Sequence, residues 1–417
     1  MSERGGELPR SAEAVVVGGG VIGAAIAFHL TRLGMREVVL LERGALAGQA
    51  SGRSGALVRA HYANQHEARL ALAALPWFEN WADLVGGDCG FVSTGFLQLV
   101  QPQDTEKLRQ NVEMLRGVGV DTRLVDRREI AELQPQLVAA EEELAAFEPR
   151  AGYADPVATT RGFAEAAERG GARVREGVQA TGLRAQKGHV DGVTTVDGAI
   201  TAPNVVLANG PWVGKLAAPL GLEVPIYPTR IQLVIYSRPP SLPRGPAGHL
   251  TLIDRAHGFY LRPHGDDGTL FGLSGYHRPL DDLDNLPAAV EPDFAALALA
   301  QVRKRLPAYA EARLLRGQVC ALDVTDDGRA ILGRGDGVEG LYLAVGMSGT
   351  GFKKAPAVGA CLAELITTGE TRTAPIAAFR LARFAENDLI AGNDYELPEE
   401  AIDKRERTLL LGRGLVH

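Results

Sequence analysis

The stretch AVVVGGGVIGAAIAFHLTRLGMREVVLLER, from Ala14 to Arg43, constrains the fold more than any other part of the chain. A β-branched run, Val15 to Val17, feeds a glycine turn that opens directly into an apolar helix. A second apolar run, Val38 to Leu41, then ends on Glu42. Gly18, Gly20 and Gly23 fit G-x-G-x-x-G, in which the first glycine makes a tight turn, the second lets backbone approach a pyrophosphate, and the third lets helix pack closely on strand. Free amides at the start of the helix, at Val21 and Ile22, would face an anion, and the helix dipole favours negative charge there. Glu42 falls where a strand-end carboxylate binds ribose hydroxyls rather than a 2′-phosphate. Three glycines are weak evidence in a chain that holds 50. Strand, turn, helix, strand and acid in this order predict a bound dinucleotide, without separating FAD from NAD.

A chain of 417 residues is long for one hydrophobic core, which predicts two domains or one domain with a large insertion. A net charge of −7 with no basic block argues against nucleic acid as a partner. Gly, Asn or charge interrupts every long apolar stretch before the roughly 20 residues of a membrane span, so no transmembrane segment is expected. The opening MSERGGELPR has no hydrophobic signal region, and a cytoplasmic location is the expectation. Cys89, Cys320 and Cys361 are scattered without metal-type spacing, which suggests a reducing compartment and no metal site.

After Glu42 and Arg43 comes GALAGQASGRSGALVRAHY, too rich in Gly and Ser for a regular helix and too apolar for a linker. It reads as a loop pressed against something large and flat. An amphipathic helix is expected from about Glu67 to Leu84, bent at Pro76, with Trp77 and Trp81 packing into the core. GFVSTGFLQLV reads as a strand pair, and the charged stretch from Asp104 to Ala146 as helices of a second domain. A helix over 157–167 precedes short strands with Gly and Asp-Gly turns, and NVVLANGPWV looks like a buried parallel strand with a tight exit at Asn209 and Gly210. From Val224 to about Arg316 a second β-rich region appears, closed by a helix up to Arg305. The strand GQVCALDV, the buried strand GLYLAVG and a glycine turn, MSGTGF, then lead into an apolar helix from Lys353 to Ile366. The charged tail after Ala378 reads as a loosely attached helix.

The expected fold is α/β, α+β overall: a Rossmann-like nucleotide domain over 12–85, 150–222 and 318–378, interrupted by a sheet-based substrate domain over 86–149 and 223–317. A tail over 379–417 follows. A site should form where the two domains meet.

Taken together, the N-terminal fingerprint, SGRSGALVRAHY, GYADP, VVLANGPW, GFYLRP with GLSGYH, QVCALDVTDDGRAILG and VGMSGTGFKKAP resemble the FAD-dependent amine oxidoreductases of the D-amino acid oxidase superfamily, in particular the sarcosine oxidase and N-methyl amino acid oxidase branch. The resemblance runs to about Phe384 and implies FAD rather than NAD. It places Glu42, Arg43 and Val178 at the adenosine end, and Ser51, Gly52, Arg53, Ser54 and Gly55 under the flavin ring. Asn209, Gly210, Gly349, Thr350, Gly351, Phe352 and Lys353 also fall in the cofactor shell, where the amides of Gly351 and Phe352 would face the pyrimidine edge of the flavin. Cys320 matches the position at which the branch forms a thioether to the flavin, a reaction that needs thiolate character; a buried strand cysteine is the alternative.

Arg59 matches the arginine that holds the substrate carboxylate, and Lys353 a second cation on the same group. A guanidinium takes a carboxylate bidentately while an ammonium adds a point charge. Tyr260 and His277 match substrate-contacting pocket residues. Two departures bear on the electron acceptor. Leu273 stands where oxidases of this branch carry a lysine that helps electrons reach oxygen, and Thr350 stands where a histidine is frequent. The resemblance thus implies hydride transfer from a secondary, N-methyl or cyclic amino acid to FAD, giving an imine, with O2 or another carrier as acceptor. The alternatives are a D-amino acid or glycine dehydrogenase, or a flavin-bearing electron-transfer subunit working with a partner subunit.

Overall fold

In the computed structural model, which describes residues 8–397, Ala14–Val17 lies inside a six-stranded sheet. Val38–Glu42 and Val205–Leu207 flank it in parallel, with Val15 opposite Val39 on one side and Val205 on the other. Arg173–Glu176 extends one side and Leu341–Val345 the other, and antiparallel Ile331–Arg334 forms an edge. All of Ala14–Val17 is buried, because both faces of the sheet are covered. Alternate residues point to opposite faces: Ala14 and Val16 meet the helices Val21–Arg32, Pro156–Arg169 and Gly351–Thr368, while Val15 and Val17 meet the layer that includes Val190, Val193 and Ile200. That layer is the antiparallel sheet of Ala180–Gln186, His189–Thr195 and Gly198–Thr201. The helices pack closely; a Cβ on Gly359 would sit 2.7 Å from the Ala25 carbonyl carbon.

A nine-stranded sheet forms the second region. Arg278–Pro279, Tyr227–Ser237, Gly268–Leu273, Phe259–His264, Thr251–Asp254, Phe96–Leu99, Leu144–Glu148 and Arg123–Asp126 run in this order across it, and Leu314–Val324 also pairs with Tyr227–Ser237. Helix Pro292–Arg305 packs Phe294, Ala298 and Val302 on this sheet with Phe271 and Tyr309. The two regions are tied where Leu57–Val58 pairs with Gly152–Tyr153.

Several expectations need correction. GQVCALDV belongs to the large sheet, since its strand is paired from Tyr227↔Val324 to Ile235↔Arg316, and the boundary expected at 317/318 cuts through it. The helix expected from Glu67 starts at Gln65, because Asn64 caps it by accepting the Glu67 amide (2.9 Å). Pro76 stays within that helix. The break comes four residues later at Asn80, whose side chain donates to the Pro76 carbonyl (2.8 Å), and a short helix Trp81–Leu84 follows. In GFVSTGFLQLV only Phe96–Leu99 is a strand, while Val92 makes an isolated bridge to Tyr153 and Gly95 turns at φ 76°. The charged stretch from Asp104 contains helices Thr105–Gly117 and Arg127–Leu133, but also strand Arg123–Asp126 and the start of Leu144–Glu148. Trp81 is buried against Phe78 and Phe163, as core packing requires; Trp77 is half-buried against Phe28 and His29. Residues 379–397 are firmly attached: Arg383 is fully buried and its guanidinium is bound to both Asp327 oxygens. The alternating charges near the end of the tail lie outside the described residues.

Candidate active site

A cavity of about 460 Å³ runs from the glycine turn to the large sheet. At one end are Gly18, Gly20, Val21, Ile22, Glu42, Arg43, Val178, Asn209 and Gly210; at the other are Ser51, Ser54, Gly55, Tyr260, Cys320, Gly349, Gly351 and Phe352. The fingerprint glycines work as close-approach residues. Gly18 has φ 116°, and a Cβ there would lie 2.7 Å from the Ala208 carbonyl carbon; a Cβ on Gly23 would run into the Gly18 carbonyl. Gly23 therefore shapes the turn from behind and does not line the cavity. Glu42 braces the turn, accepting the Gly19 amide at one oxygen and the Gly44 amide at the other (2.8 Å each). Ser51 Oγ accepts the Val21 amide (2.9 Å), which brings the 51–55 loop against the helix start. An anion arriving there meets backbone donors at the positive end of a 12-residue helix.

Gly52, Arg53, Thr350 and Lys353 do not line this cavity. A Cβ on Gly52 would run into the Ala47 carbonyl, so the residue permits a turn. Arg53 Nη1 donates to the Val319 carbonyl (2.8 Å), beside Cys320. Arg43 stacks on Trp212 at 4.1 Å and pairs with Asp284 (2.7 Å); Trp212 Nε1 and Lys215 reach the same carboxylate, so the 281–288 segment is latched beside the cavity. Cys320, 2 % exposed, has its thiol pushed up to about 12 by burial, against the pull of the Arg53 charge. Asp323, missed in the sequence, also lines the cavity; burial raises it to about 6, although its carboxylate accepts the Gly346 amide (2.7 Å). Tyr260 lies across Gly272 and within 3.2 Å of a Cβ built on Gly55.

Beyond Phe352 the side chains change from apolar to charged. Lys353 and Lys354 are both buried, on the first turn of Gly351–Thr368. They have different partners. Lys354 Nζ donates to Glu67 Oε1 and Thr350 Oγ1 (2.7 Å each), and Arg329 pairs with the other Glu67 oxygen at 3.2 Å. Thr350 thus belongs to this network. Burial opposes ionisation of Glu67, but Lys354 and Arg329 outweigh it and hold the carboxyl down at about 2. Among the described residues Lys353 has no ion pair. Burial, then the charges of Arg59 and Lys354, pull its ammonium well below the usual lysine range.

Arg59 follows the Leu57–Val58 strand and is half-buried. Its guanidinium lies 4.9 Å from the Tyr62 ring and 5.3 Å from the Phe96 ring, and Nη1 donates to the His61 carbonyl. Its Nε is buried without a hydrogen-bond partner. Lys353 Nζ lies 5.9 Å from the same Tyr62 ring, so the structure brings Arg59 and Lys353 onto one aromatic residue. Tyr260 and Phe96 share an apolar cluster with Leu57, which connects the cavity to Arg59. His277 stays out of the cavity lining; burial and Arg255 hold it neutral, near 4.

Four further residues, His61, Glu148, Tyr395 and Arg255, gather here without any motif to mark them. Glu148 accepts the Ala60 amide (2.9 Å), and burial raises it to about 7 against Arg59. Its other oxygen stands 3.9 Å from His61 Nδ1, and His61 Nε2 meets the Tyr395 hydroxyl at 2.8 Å. Burial, then Arg59, holds His61 neutral, near 3. These residues come from segments far apart in sequence, and no local spacing signals them.

The cavity accommodates FAD by its glycine cradle, its helix N-termini and its two-domain walls, and comparison with known proteins agrees. L-proline dehydrogenase from P. horikoshii superposes with a TM-score of 0.85 at 29% identity, covering 92% of this chain and 100% of that one. Sarcosine oxidase subunit beta from Arthrobacter sp. is 28% identical over 396 residues, 92% of this chain and 94% of that protein. The 4-methylaminobutanoate oxidase (formaldehyde-forming) of Paenarthrobacter nicotinovorans is 28% identical over 373 residues, 87% of this chain but 44% of that protein. Against three larger curated relatives, that oxidase among them, the chain spans 42–44% of their length. No described helix is long and apolar enough to cross a membrane, and no described cluster of His, Cys, Asp or Glu could hold a metal ion. Residues 13–365 match the DAO family of FAD dependent oxidoreductases, and the chain belongs to that family.

Proposed function

We propose that the protein oxidises the C–N bond of a secondary, N-methyl or cyclic amino acid to an imine. The observation that carries this reading is the pair Arg59 and Lys353, two cations on one aromatic ring beside the flavin cavity, neither ion-paired among the described residues. A single substrate carboxylate would satisfy both: Arg59 through its free Nε and fork of donors, Lys353 as a point charge. Its arrival would offset the burial and the Arg59 charge that disfavour the Lys353 ammonium. Held at that end, the substrate's reacting C–H would lie toward Phe352 and Tyr260, which line the cavity. FAD, when bound, supplies the two-electron acceptor for the hydride.

The amine must be neutral to react, and the residues around it favour that state. His61 carries no charge at neutral pH, Arg59 and Lys353 oppose an ammonium, and Glu148 is the nearby carboxyl that can exchange a proton near pH 7. Leu273, buried in the large sheet, supports an acceptor other than O2. Anaerobic mixing of FAD-loaded protein with sarcosine, N-methyl amino acids, proline, glycine and D-amino acids tests the reading. Bleaching by the secondary amines is expected, with slow reoxidation in air. Bleaching by D-amino acids or glycine alone would move the assignment to those substrates, and no bleaching by any amine would leave a flavin-bearing subunit.

A further inference from the structure

We infer that the site is built for a doubly anionic substrate, an amino acid with a second carboxylate that Arg255 takes. This deepens the amine-oxidation reading above and rests on it. Arg255 stands just beyond the Thr251–Asp254 strand, its amide donating to the Leu99 carbonyl (2.9 Å). Its Nε is buried without a hydrogen-bond partner, as is that of Arg59, and it forms no ion pair among the described residues. Its charged and polar neighbours are Arg59, Asp394, the Tyr395 hydroxyl and Arg329, and it acts in turn on His277.

The charges around the site leave Arg255 unsatisfied. Glu67 is shared between Lys354 and Arg329, and both Asp394 oxygens are bound by Arg329 (2.9 and 2.7 Å). Glu148 is held partly protonated at neutral pH. Three cations remain, Arg59, Lys353 and Arg255, and one carboxylate at the first two leaves the third half-buried, its buried Nε unpartnered, with no carboxylate bonded to it among the described residues. The spacing suits a second carboxylate. Phe96, beneath Arg59, pairs with Thr251, and Leu99 pairs with Asp254. Arg255 is thus offset from the Arg59 contact by about three or four strand steps, roughly 10–14 Å at the backbone. Two long side chains reaching across that gap, close enough for Arg59 to act on Arg255, would suit a substrate of N-methylaspartate or N-methylglutamate size.

The test uses FAD-loaded full-length protein. Anaerobic flavin reduction by N-methylglutamate and N-methylaspartate is compared with reduction by sarcosine, N-methylalanine and proline, in wild type, Arg255→Met and Arg255→Lys. Binding of glutarate and succinate is compared with that of butyrate and propionate by their perturbation of the flavin spectrum. In wild type the dianionic amines should be preferred, and Arg255→Met should cut the dianion-to-monoanion ratio of kcat/KM roughly 30-fold, with Arg255→Lys keeping part of it. Equal ratios in wild type and Arg255→Met, or wild-type dicarboxylates binding no tighter than monocarboxylates, overturn the inference and leave amine oxidation standing. If no amine reduces the flavin while dicarboxylates still bind selectively, amine oxidation falls and the subsite stands. If the variants do not hold FAD, the wild-type dicarboxylate comparison decides.

Discussion

The nucleotide cradle and the charged cluster beyond Phe352 are made in opposite ways. The cradle is backbone: glycines at Gly18, Gly20 and Gly23, amides at the start of Val21–Arg32, and one braced carboxylate, Glu42. The cluster is side chain: Arg59, His61, Glu67, Glu148, Arg255, Arg329, Lys353, Lys354 and Tyr395, drawn from six or more segments. A backbone site tolerates almost no added volume and carries little charge of its own. A side-chain site holds charge at close quarters and must balance it pair by pair, so its weak points are single carboxylates.

That contrast sets the order in which substitutions should act. Gly23→Val drives a branched side chain into the Gly18 carbonyl, and the turn cannot yield without leaving Ala208. It should abolish FAD binding and destabilise the domain by more than about 3 kcal/mol; purified protein that stays yellow would show the cradle to be more plastic than its contacts indicate. Glu67→Leu removes the carboxylate shared by Lys354 and Arg329 and leaves a fully buried ammonium and a half-buried guanidinium with one partner fewer, at a cost of about 3–5 kcal/mol. Denaturant midpoints should show the loss, and adding Lys354→Met should recover part of it. Recovery of nothing would mean that the pair is not coupled.

Glu148 gives a pH signature. Its folded pKa of about 7 lies above the ordinary 4.5, so the folded state binds more protons between those values. Stability should therefore fall as pH rises through that window and level off above it. Glu148→Gln keeps an acceptor for the Ala60 amide and removes the titration, so its stability relative to wild type should improve by up to about 3 kcal/mol between pH 4 and pH 8. A constant difference would place Glu148's titration elsewhere. Cys320→Ala should have the smallest effect on folding, about 1 kcal/mol for a small buried side chain. Acid precipitation of wild type should leave flavin on the pellet if the thioether forms, and the variant should release it; a colourless wild-type pellet removes the covalent link.

How much of each region could be read from sequence follows from how it is made. The cradle's chemistry resides in consecutive residues, so spacing alone exposes it, and Cys320, Tyr260 and Arg59 were legible through resemblance. Arg255, Glu148 and Tyr395 were not, because each becomes meaningful only when the Thr251–Asp254 strand, the Leu144–Glu148 strand and the 388–397 segment are brought together. The strand carrying Cys320 reads as a strand, but its expected place in the nucleotide domain differs from its pairing with Tyr227–Ser237, since hydrophobic alternation reports burial and not partner. Lys353 and Lys354 are adjacent and alike in sequence; only the helix's rotation, which aims Lys354 at Glu67, separates the lysine held in an ion pair from the one that, among the described residues, has none.

The decisive measurement is anaerobic flavin reduction by sarcosine and by sarcosine amide, in wild type and in Arg59→Met, both loaded with FAD. Wild type should favour the carboxylate over the amide by roughly 100-fold or more in kcat/KM, and Arg59→Met should erase most of that preference chiefly through KM. Equal rates for acid and amide in wild type, or a preference unchanged by Arg59→Met, would contradict a carboxylate clamp at Arg59 and Lys353.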